Sequence, residues 1–286
     1  MLLPQPSEGF AWVQAAAGPA LVCRPLESLA SHLFSTRIWP LGSAVADGER
    51  AWSDVAEAIG VEPDRLRRLR QVHGQTVVVS RRERLTADAG APRQATGVLE
   101  RAARPDADII LSDDPSVAVV VQSADCVPIL MADRRGSRVA AAHAGWRGLA
   151  AGVPRVLVEA MMREFGCRPA DLMAAMGPSI SAARYEVGPD VYAEFARGGF
   201  DRLRLDAWFS PSTRADHWRF DGAASARDQL VDAGVPRESI HTAGLCTASF
   251  PDVFCSYRRD GTGAGRMAAA ICARRADATV DARVDP

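Results

Sequence analysis

Short apolar runs closed by glycine, proline or charged clusters recur along the chain and predict more strands than long helices. Val117–Val121, Ile129–Met131 and Val139–Ala142 are three such runs, and Arg134-Arg135-Gly136 supplies a turn between the last two. Further strands are expected at Val77–Val79, Ala107–Ser112, Leu172–Met176 and in the apolar stretch Met267–Cys272, with Ser239–Thr242, Cys246-Thr247 and Phe254–Arg259 completing the ordered part. Helical spacing marks Ala51–Ile59, Arg65–Leu69 (with Asp64 as its cap), Leu149–Phe165, Pro189–Arg197 and Phe220–Ala233. Gly18 and Pro19 break Phe10–Val22 into short extended pieces, and Met1–Gly9 reads as a loose lead-in. Thr86–Pro105 reads as a long surface connection, and the tail from Arg274 lacks periodicity and is expected to be mobile. Strands and helices do not alternate regularly. The pattern therefore predicts an α+β fold of mixed sheets in one domain over residues 1–286, with an ordered core from about 30 to 273.

Composition changes this picture little but excludes some chemistry. A hydrophobic share of 48% and a charged share of 24% are ordinary for a globular chain. The net charge of −1 gives no reason to expect nucleic acid or an anionic membrane as partner. All 34 basic residues are arginine, so lysine Schiff bases and Walker lysines are absent. The six cysteines form no C-x-x-C pair. With no signal peptide and no apolar run of spanning length, they are expected as free thiols in the cytoplasm.

The chain is organised around Gln122–Gly148, Q-S-A-D-C-V-P-I-L-M-A-D-R-R-G-S-R-V-A-A-A-H-A-G-W-R-G. A strand–turn–strand unit there brings Cys126 and His143 to adjoining strand ends, where a rigid sheet can fix reactive groups. His73, in Q-V-H-G, falls at another strand edge. Two imidazoles and a thiolate make a three-ligand set like an open zinc site, and also resemble a blue-copper ligand pattern. Buried structural side chains or a Cys–His nucleophile pair are the alternatives on spacing alone. Arg147 stands where a helix is about to begin, which disfavours a cation unless an anion sits against it and the amides of Gly148 and Leu149.

Q-V-H-G at Gln71–Gly74, A-D-C-x-P at Ala124–Pro128 and H-A-G-W-R-G at His143–Gly148 together resemble the YfiH-type family. That family is also called the multicopper polyphenol oxidase or laccase-like family and includes proteins named peptidoglycan editing factor. G-P-S-I at Gly177–Ile180, Y-E-V-G at Tyr185–Gly188, Cys246-Thr247 and S-Y-R-R-D at Ser256–Asp260 extend the likeness in order. The resemblance implies one α+β domain and zinc on His73, Cys126 and His143, with copper as the alternative ion. It further implies phosphorolysis of adenosine, inosine and methylthioadenosine, with adenosine deamination beside it. The alternatives it carries are a copper polyphenol oxidase and a peptidoglycan-precursor maintenance factor. Five histidines are too few for an electron-transfer copper plus a separate oxygen-reducing cluster. The sequence departs from the family after Thr36-Arg37, where Ile38–Gly42 is shorter than the usual loop and lacks its asparagine.

Within that reading, Arg147 is the first candidate for holding phosphate, joined by Ser179 and by Arg37 or Arg258. Cys126 is expected to serve catalysis as well as the metal, and Asp125 beside it is a candidate proton carrier.

Overall fold

The computed structural model describes residues 2–39, 41, 48–82 and 104–274. The chain opens with β1 (Phe10–Ala15) and β2 (Gly18–Cys23), a hairpin that turns at Gly18, whose φ is +134°. Order thus begins well before residue 30. After β3 (Ala30–Ser35) comes α1 (Gly48–Ile59), the helix expected from Ala51 onward. The predicted helix at Arg65–Leu69 is instead β4 (Leu66–Arg68), preceded by a single 3-10 turn at Pro63–Arg65. Too short to propagate as a helix, the segment gains backbone partners by lying parallel to β7 (Ala118–Ser123). Between those two strands fall β5 (Val77–Ser80) and β6 (Ile109–Ser112).

The central stretch forms β8 (Val127–Asp133) and β9 (Val139–Ala144), paired antiparallel. The long helix expected at Leu149–Phe165 is two helices, α2 (Trp146–Ala150) and α3 (Val153–Phe165). Gly152 separates them with φ +85°, a left-handed turn that glycine adopts without steric penalty. Next come β10 (Leu172–Met176), β11 (Glu186–Val187), α4 (Pro189–Arg197), α5 (Arg202–Trp208), β12 (Phe209–Pro211) and β13 (Trp218–Phe220). The chain closes with α6 (Gly222–Asp232), β14 (Ile240–Thr242), α7 (Tyr257–Asp260) and β15 (Met267–Ala273). Most of the expected connection at Thr86–Pro105 and the tail beyond Arg274 lie outside the described residues.

Among the described residues two six-stranded sheets result, in the orders β1-β2-β3-β15-β7-β4 and β14-β10-β8-β9-β6-β5, with a small third sheet β11-β13-β12. Period-2 alternation explains the layers. On β7, Val119 and Val121 face the core between the large sheets, while Ala118 and Val120 face the layer containing Trp39, Trp52 and α1. On β8, Leu130 and Ala132 enter the same inter-sheet core, whereas Ile129 and Met131 pack under α3 and α6. Both large sheets are thus buried on two faces, which is why their strands read as nearly continuous apolar runs. The mixed parallel and antiparallel pairing is the α+β architecture expected. Gly177 marks a close approach of the layers: a Cβ there would stand 2.3 Å from a ring carbon of Phe34.

Candidate metal centre and cleft

Strand register brings the reactive residues together. Val127 pairs with Ala144 and Pro128 with His143, so Cys126 stands where β9 leaves the sheet. The Q-V-H-G loop between β4 and β5 adds His73, whose φ of +60° is uncommon for a residue other than glycine. The donor atoms of His73, Cys126 and His143 lie within 4.8 Å of one another. The two imidazoles meet edge to face, with centroids 4.9 Å apart.

Asp108, buried immediately before β6, holds this arrangement. Its carboxylate accepts from the amides of Val72 (3.2 Å), His73 (3.1 Å) and Gly74 (2.7 Å) and from His143 Nδ1 (2.8 Å). One carboxylate therefore fixes both histidines. It also leaves His143 Nε2 as the ring nitrogen for the site, the usual carboxylate–histidine support of a metal ligand. Gln71 ties the same loop to β7: its Nε2 donates to the Gln122 carbonyl (2.8 Å) and its Oε1 accepts from the Gln122 amide (2.7 Å). Gly145 completes the wall, since a Cβ there would sit 2.9 Å from a His73 ring carbon and 3.0 Å from Cys126 Sγ.

The electrostatics match a metal-binding donor set. Burial raises the Cys126 thiol, but the imidazoles of His143 and His73 outweigh it and bring the group down to about 6. Burial lowers His143, but Cys126 and Asp108 outweigh that and push it up to about 9. Burial likewise raises Asp108, yet its bonds to His143 and the loop amides hold it below the usual carboxylate range. A thiolate beside two imidazoles, one oriented by a carboxylate, suits zinc or copper rather than calcium or magnesium. Three protein ligands beside an open cleft leave room for a further group. Among the described residues this is the one cluster of its kind.

The cleft measures about 840 Å³ and is lined by His73, Cys126 and His143 at one part and by Arg70, Arg104, Arg147, Arg258 and Arg266 elsewhere. Arg147 stacks over Trp146 (4.1 Å to the ring centroid) and Arg258 over Tyr185 (4.8 Å). Arg258 Nη1 also donates to the Glu186 carbonyl at 2.7 Å. Arg70 is already paired with Asp106, and Arg266 donates to the carbonyls of Ala264 and Gly265.

Several sequence expectations need correction. The Leu149 amide is not free, because it donates to the Gly145 carbonyl at 2.8 Å inside the single turn of α2. Asp125 lines the cleft, but Thr247 Oγ1 (2.5 Å), Ser256 Oγ (3.1 Å) and the Arg258 amide (2.6 Å) already hold both its oxygens. With φ +94° it clamps a loop and is poorly placed to carry protons. Ser179 does not line the cleft: it is buried, its amide donating to Leu245 and its carbonyl accepting from Thr247. Arg37 points elsewhere too, donating to the Pro251 carbonyl. In the shortened loop after Arg37, Trp39 and Leu41 are buried in the α1 layer, while Pro40 and Gly42 lie outside the described residues. Asp108, Gln71 and Tyr185 are the site residues that sequence reasoning missed. The acidic residue opening an otherwise apolar strand was the available signal for the first of them.

A purine nucleoside phosphorylase of Bacteroides thetaiotaomicron is 36% identical over 166 residues, which are 57% of this chain and 60% of that protein. This match thus spans less than two thirds of the relative. Purine nucleoside phosphorylase YfiH of Escherichia coli is 36% identical over 205 residues, 71% of this chain and 72% of the relative. The crystal structure of YlmD from Geobacillus stearothermophilus superposes with a TM-score of 0.76 at 26% identity, covering 92% of this chain and 99% of that one. Residues 41–274 match the family described as multi-copper polyphenol oxidoreductase laccase, and this chain belongs to that YfiH-type family.

Proposed function

We propose that this chain is a zinc-dependent purine nucleoside phosphorylase, cleaving adenosine, inosine and methylthioadenosine to free base and pentose 1-phosphate. The observation that carries the proposal is the His73–Cys126–His143 donor set opening onto an arginine-lined cleft large enough for a nucleoside and phosphate. The names of relatives at 36% identity support the substrate class.

In the reaction a phosphate oxygen forms a bond to C1′ as the C1′–N9 bond breaks. The bonding pair leaves with the purine, which takes up a proton. Arg147 is the group assigned to phosphate: it is exposed and has no ion pair among the described residues, while Trp146 holds its guanidinium plane. Arg258 supports it with the part of its fork not used by Glu186. Zinc, when bound by His73, Cys126 and His143, would polarise an oxygen of the reactants. Asp108 keeps the two imidazoles in register, and Gly145 keeps the space before them clear. Asp125 is assigned to fixing the loop that carries Cys126, not to the proton.

The copper oxidase reading is weaker. His32 and His217 bond backbone carbonyls, and neither they nor His241 join the ligand cluster. No described helix is long and apolar enough to cross a membrane. All six cysteines are unpaired, which supports a reducing cytoplasm as the compartment.

The test is a product assay on adenosine with metal-loaded protein, with and without phosphate. Adenine released only with phosphate is the expected result, and inosine formed without phosphate would report deamination. Faster oxidation of phenols by copper-loaded protein, with no phosphate-dependent base release, would overturn the proposal.

A further inference from the structure

The charged groups of the cleft serve metal and anion chemistry, but a purine base must also be held, and it offers a hydrogen-bonding edge. Few uncharged polar groups in the lining are free to meet one. Ser123 Oγ is committed to the Cys126 carbonyl at 2.6 Å, and the Gln71 amide is committed to the backbone of Gln122. The Tyr185 hydroxyl belongs to the charged part of the cleft, where Arg258 covers its ring and Cys126 and Asp125 raise its pKa after burial. Tyr257 stands 53% exposed at the rim.

Gln122 differs from all of these. It is half-buried and lines the cleft, and its backbone amide and carbonyl are both held by Gln71. Its side-chain amide has no hydrogen-bond partner among the described residues. By strand alternation it follows Ala118 and Val120, so a polar head continues an otherwise apolar stripe of β7. It lies four positions before Cys126, within about 14 Å along even a fully extended chain. Leu69 lines the same cleft and supplies an apolar wall.

We infer that Gln122 is the residue that reads the purine base, and that it accepts both 6-amino and 6-oxo purines. This rests on the proposed phosphorylase activity and adds its specificity device. A carboxamide carries an acceptor oxygen and a donor nitrogen, interchanged by a half-turn of its terminal torsion. One rotamer presents the acceptor to the 6-amino group of adenine. The other presents the donor to the 6-oxo group of hypoxanthine. An arginine here would favour 6-oxo bases and a carboxylate 6-amino bases, whereas the amide serves both. Its backbone is pinned on the Gln71 side, so only the side chain needs to move.

The experiment compares wild type with Gln122→Glu and Gln122→Met in two measurements. One is kcat/KM for phosphate-dependent base release from adenosine and inosine, and the other is equilibrium binding of adenine and hypoxanthine. Wild type is expected to handle both classes within about tenfold of each other. Gln122→Glu should shift the adenosine-to-inosine ratio, and the adenine-to-hypoxanthine affinity ratio, toward the amino compound by about tenfold or more. Gln122→Met should weaken both classes together, with metal content and melting temperature unchanged. Ratios and affinities equal to wild type in both variants would overturn the role of Gln122. Gln122-dependent binding of the bases without phosphate-dependent release would instead overturn the phosphorylase reading and leave the base-reading role standing. Wild type that neither binds a base nor releases one would overturn both.

Discussion

At the floor of the cleft His143 is 4% exposed, hydrogen-bonded to a buried carboxylate and set against a thiol that strand pairing holds in place. At the rim Arg147 and Arg258 are exposed and rest on the faces of Trp146 and Tyr185. The floor is over-determined, with ligands and amides converging on one aspartate. The rim is held by ring stacking, worth about 0.5–1 kcal/mol at exposed sites, and at Arg258 by one bond to the Glu186 carbonyl. A rigid floor keeps donor atoms at coordination distance, whereas a loosely held rim can close on an anion when one arrives. The two regions should therefore respond differently to substitution.

The largest effect should come from Cys126→Ala. Removing the thiolate deletes a ligand and the negative charge opposite two imidazoles, so metal retention should fall more than about a hundredfold and activity with it. Stoichiometric metal in the purified variant, measured by mass spectrometry, would break the account of the floor.

Proton competition comes next. In the metal-free protein His143 is pushed up to about 9 and Cys126 down to about 6. Between these values the thiolate is present and the imidazole carries a proton that the metal must displace. Apparent affinity should thus fall by about tenfold per pH unit as pH drops from 9 to 6, and more steeply below 6, where the thiol also protonates. Chelator competition across that range checks the slope, and a flat profile would contradict it.

Asp108→Asn should weaken metal binding by about 10- to 100-fold, the usual consequence of losing a carboxylate behind a ligating histidine. It should also lower the melting temperature, because amides of the Q-V-H-G loop lose their charged acceptor. Arg147→Lys sharpens the contrast with the rim. It should raise the phosphate KM or lower turnover by about tenfold, about 1.4 kcal/mol, through loss of the planar fork. Metal content and melting temperature should stay at wild-type values. Steady-state phosphate titrations decide this, and an unchanged KM and kcat would remove Arg147 from the anion site.

The same contrast explains what could be read in the sequence. The β8–β9 unit was visible because its apolar runs and turn are contiguous and its ligands sit at their ends. His73 could be placed at a strand edge, but only motif resemblance joined it to Cys126, since nothing local says that a loop 53 residues away returns beside it. Asp108 was hidden because its partners are distant amides, and a carboxylate before an apolar strand looks like any loop acid. β4 was misread because parallel pairing with β7, a tertiary effect, overrode a short helical pattern. Ser179 and Arg37 were misplaced because composition at a turn does not reveal which way a side chain leaves it. The split of α2 from α3 was signalled by Gly152 and Pro154, both within the stretch expected as one helix.

Asp108 and His143 are 35 positions apart, and besides their side-chain bond the His143 amide donates to the Asp108 carbonyl at 2.8 Å. The carboxylate therefore reaches the imidazole only once β6 lies against β9, a non-local pairing whose chain entropy must be met before any ligand can gather. A nascent or denatured chain lacks this gathered set of donors, so an ion held there favours the native state. At a hundred times its Kd it would stabilise that state by about 2.7 kcal/mol. Supply of that ion would then influence how much of the chain escapes proteolysis, and the abundance of the protein would follow the free concentration of the metal that the site takes.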